Sequence, residues 1–458
     1  MDATRLSELV KGIGFTKNGD TLITSVTTDS RKVTPGSVFV AVRGDRLDGH
    51  SFVGEAAEKG AVAVLVDHAM PDCGVEQIVV KDTKDAFIAL AGNYRAKYNP
   101  KIIGVTGSVG KTTTKEMTGA ILSAFGSAIK TEGNQNNEIG CPSTLLNIDG
   151  TTELAVVEMG MNNLGDIHKL TMAARPDVAI ITAIGVSHLE NLKTKENILK
   201  AKLEIVDGLP EDGILVINGD DDLLMSAKNS VDREVVTFAI RNSECDVVAT
   251  NIMTRRMTTE FTIDDRHNGR FRAIIPAIGE HNILDAIAGY TAATRAGLDP
   301  AKSAEALNNY RPTGMRQKLV EFQDITVFED CYNASPDSMV ASLSMLASLQ
   351  VSGIKVAVLG DMLELGSISE ESHKQIGIFA AKCGIDVLLC YGPEMRACAK
   401  AATAAGVACV AHFEDKKELA EYLSKTVHAG DAVIFKASRG MALEDAIEHF
   451  YKIRNPGA

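Results

Sequence analysis

The chain has 458 residues, 45% of them hydrophobic and 23% charged, with a formal net charge of −13. That length is too great for one hydrophobic core and predicts two or three domains, and the ordinary composition excludes long disordered or low-complexity spans. The acidic balance, with no Lys/Arg-rich stripe to offset it, argues against nucleic acid as a partner, and apolar runs such as VAIITAIGV (178–186) are too short for membrane insertion.

The opening MDATRLSELVKG has early acidic residues and no apolar run, so no secretory signal is read there. The eight cysteines, scattered from Cys73 to Cys409 without a C-x-x-C pair, suit reduced thiols. The expectation is a cytoplasmic, monomeric protein. Between 22 and 66, short apolar runs (SVFVAV, AVAVLV) alternate with turn-rich polar stretches and predict a small mixed α/β domain. Pro100 disfavours helix at Asn99, which sets a first domain at 1–99.

From Lys101 the pattern reads strand (KIIGVTG), loop (GSVGK) and helix, with Met117, Ile121, Leu122 and Phe125 at helical spacing. The apolar runs LAVVEMG and DVAIITAIG add strands separated by helical stretches, and together they predict a parallel sheet covered by helices over 100–312. The turn-prone YRPTG (310–314) follows the helical GEHNILDAIAGYTAA. Beyond it ITVFEDCY, IKVAVLGDM, IDVLLCYG and AVIFKAS alternate with helices, predicting a dinucleotide-fold-like third domain over 313–458 that lacks a glycine fingerprint of its own. The fold class is therefore α/β, with a central P-loop parallel-sheet ATPase domain between two others.

The stretch GVTGSVGKTTTKEM (104–117) has the parts of a phosphate loop, although Val105 stands where the longer pattern has its first glycine. Backbone N–H groups and a helix N-terminus face the anion, lysine adds a point charge and the next hydroxyl ligates magnesium. Gly107, Gly110, Lys111 and Thr112 fill those roles. Glu158 and His188 each follow an apolar strand and so fall at the carboxyl edge of the sheet, where a magnesium nucleotide needs ligands. Lys202 lies inside the stripe Ile198, Leu199, Ile205, Val206 and Leu209. It either snorkels or, if buried, has a depressed pKa and a neutral amine able to take up carbon dioxide as a carbamate.

Together these residues resemble the Mur ligase family, ATP-dependent amide-forming enzymes of bacterial cell-wall synthesis, over essentially the whole chain. The loop of that family is similar to Thr106–Thr114, so Val105 is normal for it. The resemblance implies ATP and Mg2+ as cofactors and magnesium ligands at Thr112, Glu158, His188 and a carbamylated Lys202, with Lys111, His188 and Lys202 catalytic. It also implies ATP contacts from Gly107, Ser108, Val109, Gly110, Lys111, Thr112, Thr113, His281, Asn282, Arg316 and Asp330. Ser30, Arg31, Gly44, Asp48, Gly49, His50, Asn136 and Asn137 would bind a UDP-linked substrate. Tyr332, Asn333, Lys436, Ser438 and Arg439 would bind the acceptor or take part in closure. Within the family, EGNQNNEIGCPSTLL (132–146), DCYNASPDSM (330–339) and GDMLELG (360–366) look like the branch that joins D-alanyl-D-alanine to UDP-N-acetylmuramoyl-tripeptide for peptidoglycan synthesis. A diamino-acid-adding or folylpolyglutamate-forming relative is the alternative, and a P-loop switch the non-ligase one. Two positions depart from the family pattern: Asp285, where asparagine is common and an ionised carboxylate accepts but cannot donate a hydrogen bond, and Ala437, where glycine is common.

Overall fold

The structure is a computed structural model that describes residues 1–44, 47–71, 73–255 and 257–455. Three main sheets follow one another along the chain. The first has four parallel strands in sequence order, Ser25–Thr27, Ser37–Val40, Ala61–Val66 and Glu76–Val79. Tight turns there are fixed by acids: the carboxylates of Asp29 and Asp48 accept the backbone N–H groups of Arg31 and His50. The helix Thr83–Arg95 is capped by Asp82 in the same way. Its Phe87, Leu90, Ala91 and Tyr94 are buried in one cluster with Val38 and Leu65 of the first sheet and Ile102, Ala155 and Val157 of the next, so the first domain is packed onto the second.

The central sheet runs, in spatial order, Gly269–Ile275, Thr258–Asp265, Val247–Arg255, Glu234–Ala239, Ile214–Asn218, Val178–Ile181, Lys101–Thr106, Leu154–Glu158 and Ala128–Lys130. All neighbours are parallel except the two pairings at the Gly269–Ile275 edge. Its inner strands read as continuous apolar runs because both faces are covered. Ile102, Ala155 and Ala179 face the cluster shared with the first domain, while Ile103, Val105, Val156 and Ile180 pack with Met117, Ile121, Ile283 and Ile287. Val105 is fully buried on that second face, so its side chain belongs to the core and leaves the phosphate donors untouched. After Lys101–Thr106 the chain visits Ala128–Lys130 and then Leu154–Glu158 on one side before crossing to Val178–Ile181 on the other, and a crevice at the carboxyl ends of the strands follows from that reversal.

The third sheet is ordered Lys318–Phe322, Ile325–Asp330, Ala432–Lys436, Lys355–Gly360, Val387–Tyr391 and Cys409–Phe413, parallel except for its first pair. The methyl group of Ala437 is fully buried, and a Cβ at Gly360 would come within 2.8 Å of it. The missing side chain at 360 is what accommodates alanine at 437. Two local expectations change. The helix carrying Met117 ends at Leu122, so Phe125 lies beyond it, and the stripe around Lys202 is an α-helix only over Lys195–Leu203, continuing as a 3-10 turn over Glu204–Gly208. Among the described residues, no helix is long and apolar enough to cross a membrane.

Candidate active site

Gly107 and Gly110 shape the loop between the strand Lys101–Thr106 and the helix Lys111–Leu122. Gly110 has φ +82°, which favours glycine, and a Cβ at Gly107 would fall 1.9 Å from Thr182 Oγ1. The loop thereby wraps back over the first helical turn, and the Lys111 ammonium donates to the carbonyls of Gly107 (2.8 Å) and Ser108 (3.3 Å). Burial lowers the Lys111 pKa from its ordinary value.

Thr112 Oγ1 donates to Glu158 Oε1 at 3.1 Å, and Asn136 Nδ2 donates to the same oxygen at 2.7 Å. Glu158 is fully buried. Its Oε2 has no hydrogen-bond partner among the described residues and lies 3.8 Å from Lys115 Nζ. Lys115, also fully buried, donates to the Gly133 carbonyl at 2.8 Å and pairs with Glu116 at 2.8 Å. It therefore ties the nucleotide helix to the segment that bears Asn136.

Lys202 does not snorkel: its side chain is fully buried and its Nζ finds no hydrogen-bond partner among the described residues. Burial first, then the nearby Lys111 charge, pushes its pKa well below the usual lysine range. An orphaned buried amine is costly as it stands, and a neutral amine is the form that adds carbon dioxide. His188, left-handed at φ +64°, is held down to about 4 chiefly by burial, which favours the neutral imidazole able to ligate a metal. A buried carboxylate with a free oxygen, a hydroxyl beside it, a neutral imidazole and a convertible lysine fit magnesium, a hard cation that prefers oxygen.

Thr112, Glu158 and His188 open onto a cleft of ≈690 Å³, whereas Lys202 is buried behind its wall and is not part of the lining. The central domain contributes Ser108 through Thr113, Asn136, Asn137, Glu158, His188, His281 and Asn282 to its lining, and the third domain contributes Arg316, Asp330, Tyr332, Asn333, Lys436 and Arg439. The Arg316 guanidinium lies over the Tyr332 ring at 4.0 Å. Lys436 Nζ donates to Asp330 Oδ2 (2.7 Å), as does Ser342 Oγ (2.8 Å). Asn282 Nδ2 donates to Gln317 Oε1 at 2.7 Å, and Gln317 also contacts His281. Ser438 sits one step back, its Oγ accepting from Leu363 N–H at 2.9 Å, and Arg439 pairs with Glu444.

Six predicted substrate residues are not brought into this lining: Ser30, Arg31, Gly44, Asp48, Gly49 and His50. Their partners are local to the first domain, where Arg31 pairs with Asp29 (2.8 Å), His50 Nδ1 lies 2.7 Å from Asp48, and Ser30 donates to Glu55 (3.1 Å). Gln317 and Lys115 escaped sequence reasoning. Lys115 stands four residues after Lys111 on the predicted helix, which was the available signal. Asp285 requires a correction. It is buried beside Gly110, accepts from Thr114 Oγ1 at 2.9 Å, and burial raises its carboxyl to about 8. The protonated form, which carries a hydrogen-bond donor, is thereby favoured relative to that of an exposed aspartate.

Three family models match the chain: the Mur ligase family catalytic domain over residues 22–95, the Mur ligase middle domain over 105–293 and the Mur ligase glutamate ligase domain over 315–439. The UDP-N-acetylmuramoyl-tripeptide–D-alanyl-D-alanine ligase of Bacillus subtilis is 39% identical over 448 residues, covering 97% of this chain and 96% of its own. Among solved structures, MurF from Acinetobacter baumannii superposes with TM-score 0.91 at 28% identity over 99% of both chains. MurF ligase from Thermotoga maritima in complex with ADP gives TM-score 0.86 at 30% identity, over 95% of this chain and 98% of that one.

Proposed function

The chain belongs to the Mur ligase family, and from that premise we propose that it is an ATP-dependent ligase joining D-alanyl-D-alanine to UDP-N-acetylmuramoyl-tripeptide. The product is the UDP-linked pentapeptide precursor of peptidoglycan. The observation that carries this reading is the single cleft in which the phosphate loop, the Glu158–His188 edge of the central sheet and the Arg316, Asp330 and Lys436 groups of the third domain meet. A nucleotide bound at the loop and an amine held by the third domain then face one another.

The tripeptide carboxylate attacks the γ-phosphorus of ATP. An O–P bond forms, the bond to the β-phosphate oxygen breaks, and ADP leaves. The amine of D-alanyl-D-alanine next attacks the acyl carbon, forming the C–N bond as phosphate departs and the nitrogen loses its proton. Lys111 offsets phosphate charge, and Gly107–Thr113 cradle the phosphates with backbone donors. Thr112, Glu158, His188 and carbamylated Lys202 would hold magnesium, which neutralises the crowded anions when bound. His281, Asn282, Arg316 and Asp330 hold the nucleotide. Asn136 and Asn137, with Ser30, Arg31, Gly44, Asp48, Gly49 and His50, hold the UDP substrate, while Tyr332, Asn333, Lys436, Ser438 and Arg439 serve the acceptor and closure. Three units at 1–99, 100–312 and 313–458 divide this work, and the enzyme acts as a monomer in the cytoplasm, where its nucleotide substrates are.

The test is phosphate release from ATP and magnesium in the presence of UDP-N-acetylmuramoyl-tripeptide. Release that depends on D-alanyl-D-alanine, and not on a free diamino acid or glutamate, supports the reading. Release dependent on one of those other amines, or on no amine, overturns it.

A further inference from the structure

The segment that carries His188 is held from two domains at once. On the central side, Ser108 N–H donates to Ala183 O at 2.8 Å and Ile184 N–H to Asp221 Oδ2 at 2.7 Å. From the third domain, Asp337 in the first turn of the helix Pro336–Ser348 reaches across, and its Oδ2 accepts the Val186 N–H at 3.4 Å. The Val186 side chain packs against the third domain's apolar cluster, which includes Met339 and Leu343. A little further on, the backbone at Gly366 faces Glu190, so that a Cβ there would come 3.6 Å from Glu190 Cγ.

Gly185 makes the approach possible. A Cβ at that position would fall 2.2 Å from Asp337 Oδ2 and 3.3 Å from Ser108 Cβ. A side chain at 185 would therefore displace the Asp337 carboxylate, and with it the oxygen that accepts the Val186 N–H. Three residues later the chain turns through the left-handed Cα of His188, so the direction of the imidazole depends on how the backbone at 185–187 is held.

We propose that Asp337 and Gly185 are positioning residues for the ligation: the seated third domain, through the Asp337–Val186 hydrogen bond, fixes the backbone that aims His188. Acceptor-domain seating and metal binding are then coupled, because each favours the same arrangement of 184–190. The inference rests on His188 being a magnesium ligand, as read above. Asp337 lines the edge of the cleft, and the role proposed for it is one of position. Its effect passes through the orientation of a ligand, as with outer groups that orient metal-ligating histidines.

The experiment measures Mn2+ binding to the full chain with ADP by electron paramagnetic resonance, and amide hydrogen exchange over 184–192. Asp337→Ala and Gly185→Ala should each weaken Mn2+ by about 10–100-fold, the usual range for loss of an outer-shell partner, and should speed exchange at Val186. Asp337→Asn keeps an acceptor oxygen and should stay close to the parent in both readouts. Unchanged Mn2+ affinity and exchange in Asp337→Ala overturn the coupling, as does an Asp337→Asn variant as impaired as the alanine one. Asp337 is exposed, so its variants test the idea even if Gly185→Ala does not fold. His188→Ala in the same titration separates the two claims, since unweakened Mn2+ binding there removes the metal-site reading itself.

Discussion

The nucleotide end of the cleft and the first domain's candidate substrate residues are built on different terms. At the nucleotide end Thr112, Asn136, Glu158 and Lys115 are drawn together from three separate segments, and Glu158, Lys115 and Lys202 are completely buried. In the first domain, Arg31 and His50 pair with Asp29 and Asp48 two residues away, and Arg31 stays exposed. Burial makes charge and protonation matter at one end, because an unpaired group there has no solvent to turn to. At the other end water screens the Arg31–Asp29 pair, leaving that guanidinium free to exchange its local partner for a ligand, while His50 is buried but held by partners within its own domain.

That contrast orders the expected effects of substitution. Lys111→Ala should have the largest, a loss of about 10²–10³-fold or more in kcat, since it removes charge stabilisation at the reacting phosphate. Steady-state turnover measures it, and near-normal turnover would take the loop out of the chemistry. Lys202→Ala should come next, losing most activity while circular dichroism shows an intact fold. Acetate, a small carboxylate able to occupy the vacated space, should restore part of that activity if the native group is a carbamate. Full activity without acetate would remove Lys202 from the site.

Asp285→Asn sharpens the comparison through pH. The folded-state pKa of Asp285, about 8, lies above that of an unfolded aspartate, so the folded chain retains the proton longer. Its contribution to stability is complete below about pH 4 and is lost as pH rises towards 8. The Tm of Asp285→Asn relative to the parent should accordingly climb between pH 5 and 8, and a flat difference would mean the carboxyl is ionised throughout. The smallest effect belongs to Arg31→Ala: an unchanged Tm, with a raised KM for the UDP substrate and an unaltered KM for ATP. A fall in Tm would place Arg31 in the framework of the domain instead.

Those same differences decide what could be read from the sequence. The phosphate loop was legible because its glycines, lysine and threonine are contiguous and flanked by a strand and an amphipathic helix. Glu158 was legible as the last residue of an apolar strand, and Lys202 as a charge inside an apolar stripe. Contacts set by the tertiary fold, within domains and between them, left no such trace. Thr114 meets Asp285 across 171 positions, Lys436 meets Asp330 across 106, and Val186 meets Asp337 across 151. The raised carboxyl pKa of Asp285 left no trace for the same reason, since it depends on burial that the tertiary fold supplies. Gln317 follows Arg316 in a segment without helix or strand, where no periodicity marks which side chain turns inward.

The central claim is that the tripeptide carboxylate is phosphorylated before the amine attacks. It is tested most directly with UDP-N-acetylmuramoyl-tripeptide bearing oxygen-18 in the carboxylate that becomes the amide, turned over with ATP, magnesium and D-alanyl-D-alanine. Mass analysis of the released phosphate should find one labelled oxygen per amide formed. Phosphate free of label, alongside normal amide formation, would contradict the acyl-phosphate route and with it the role assigned to the cleft.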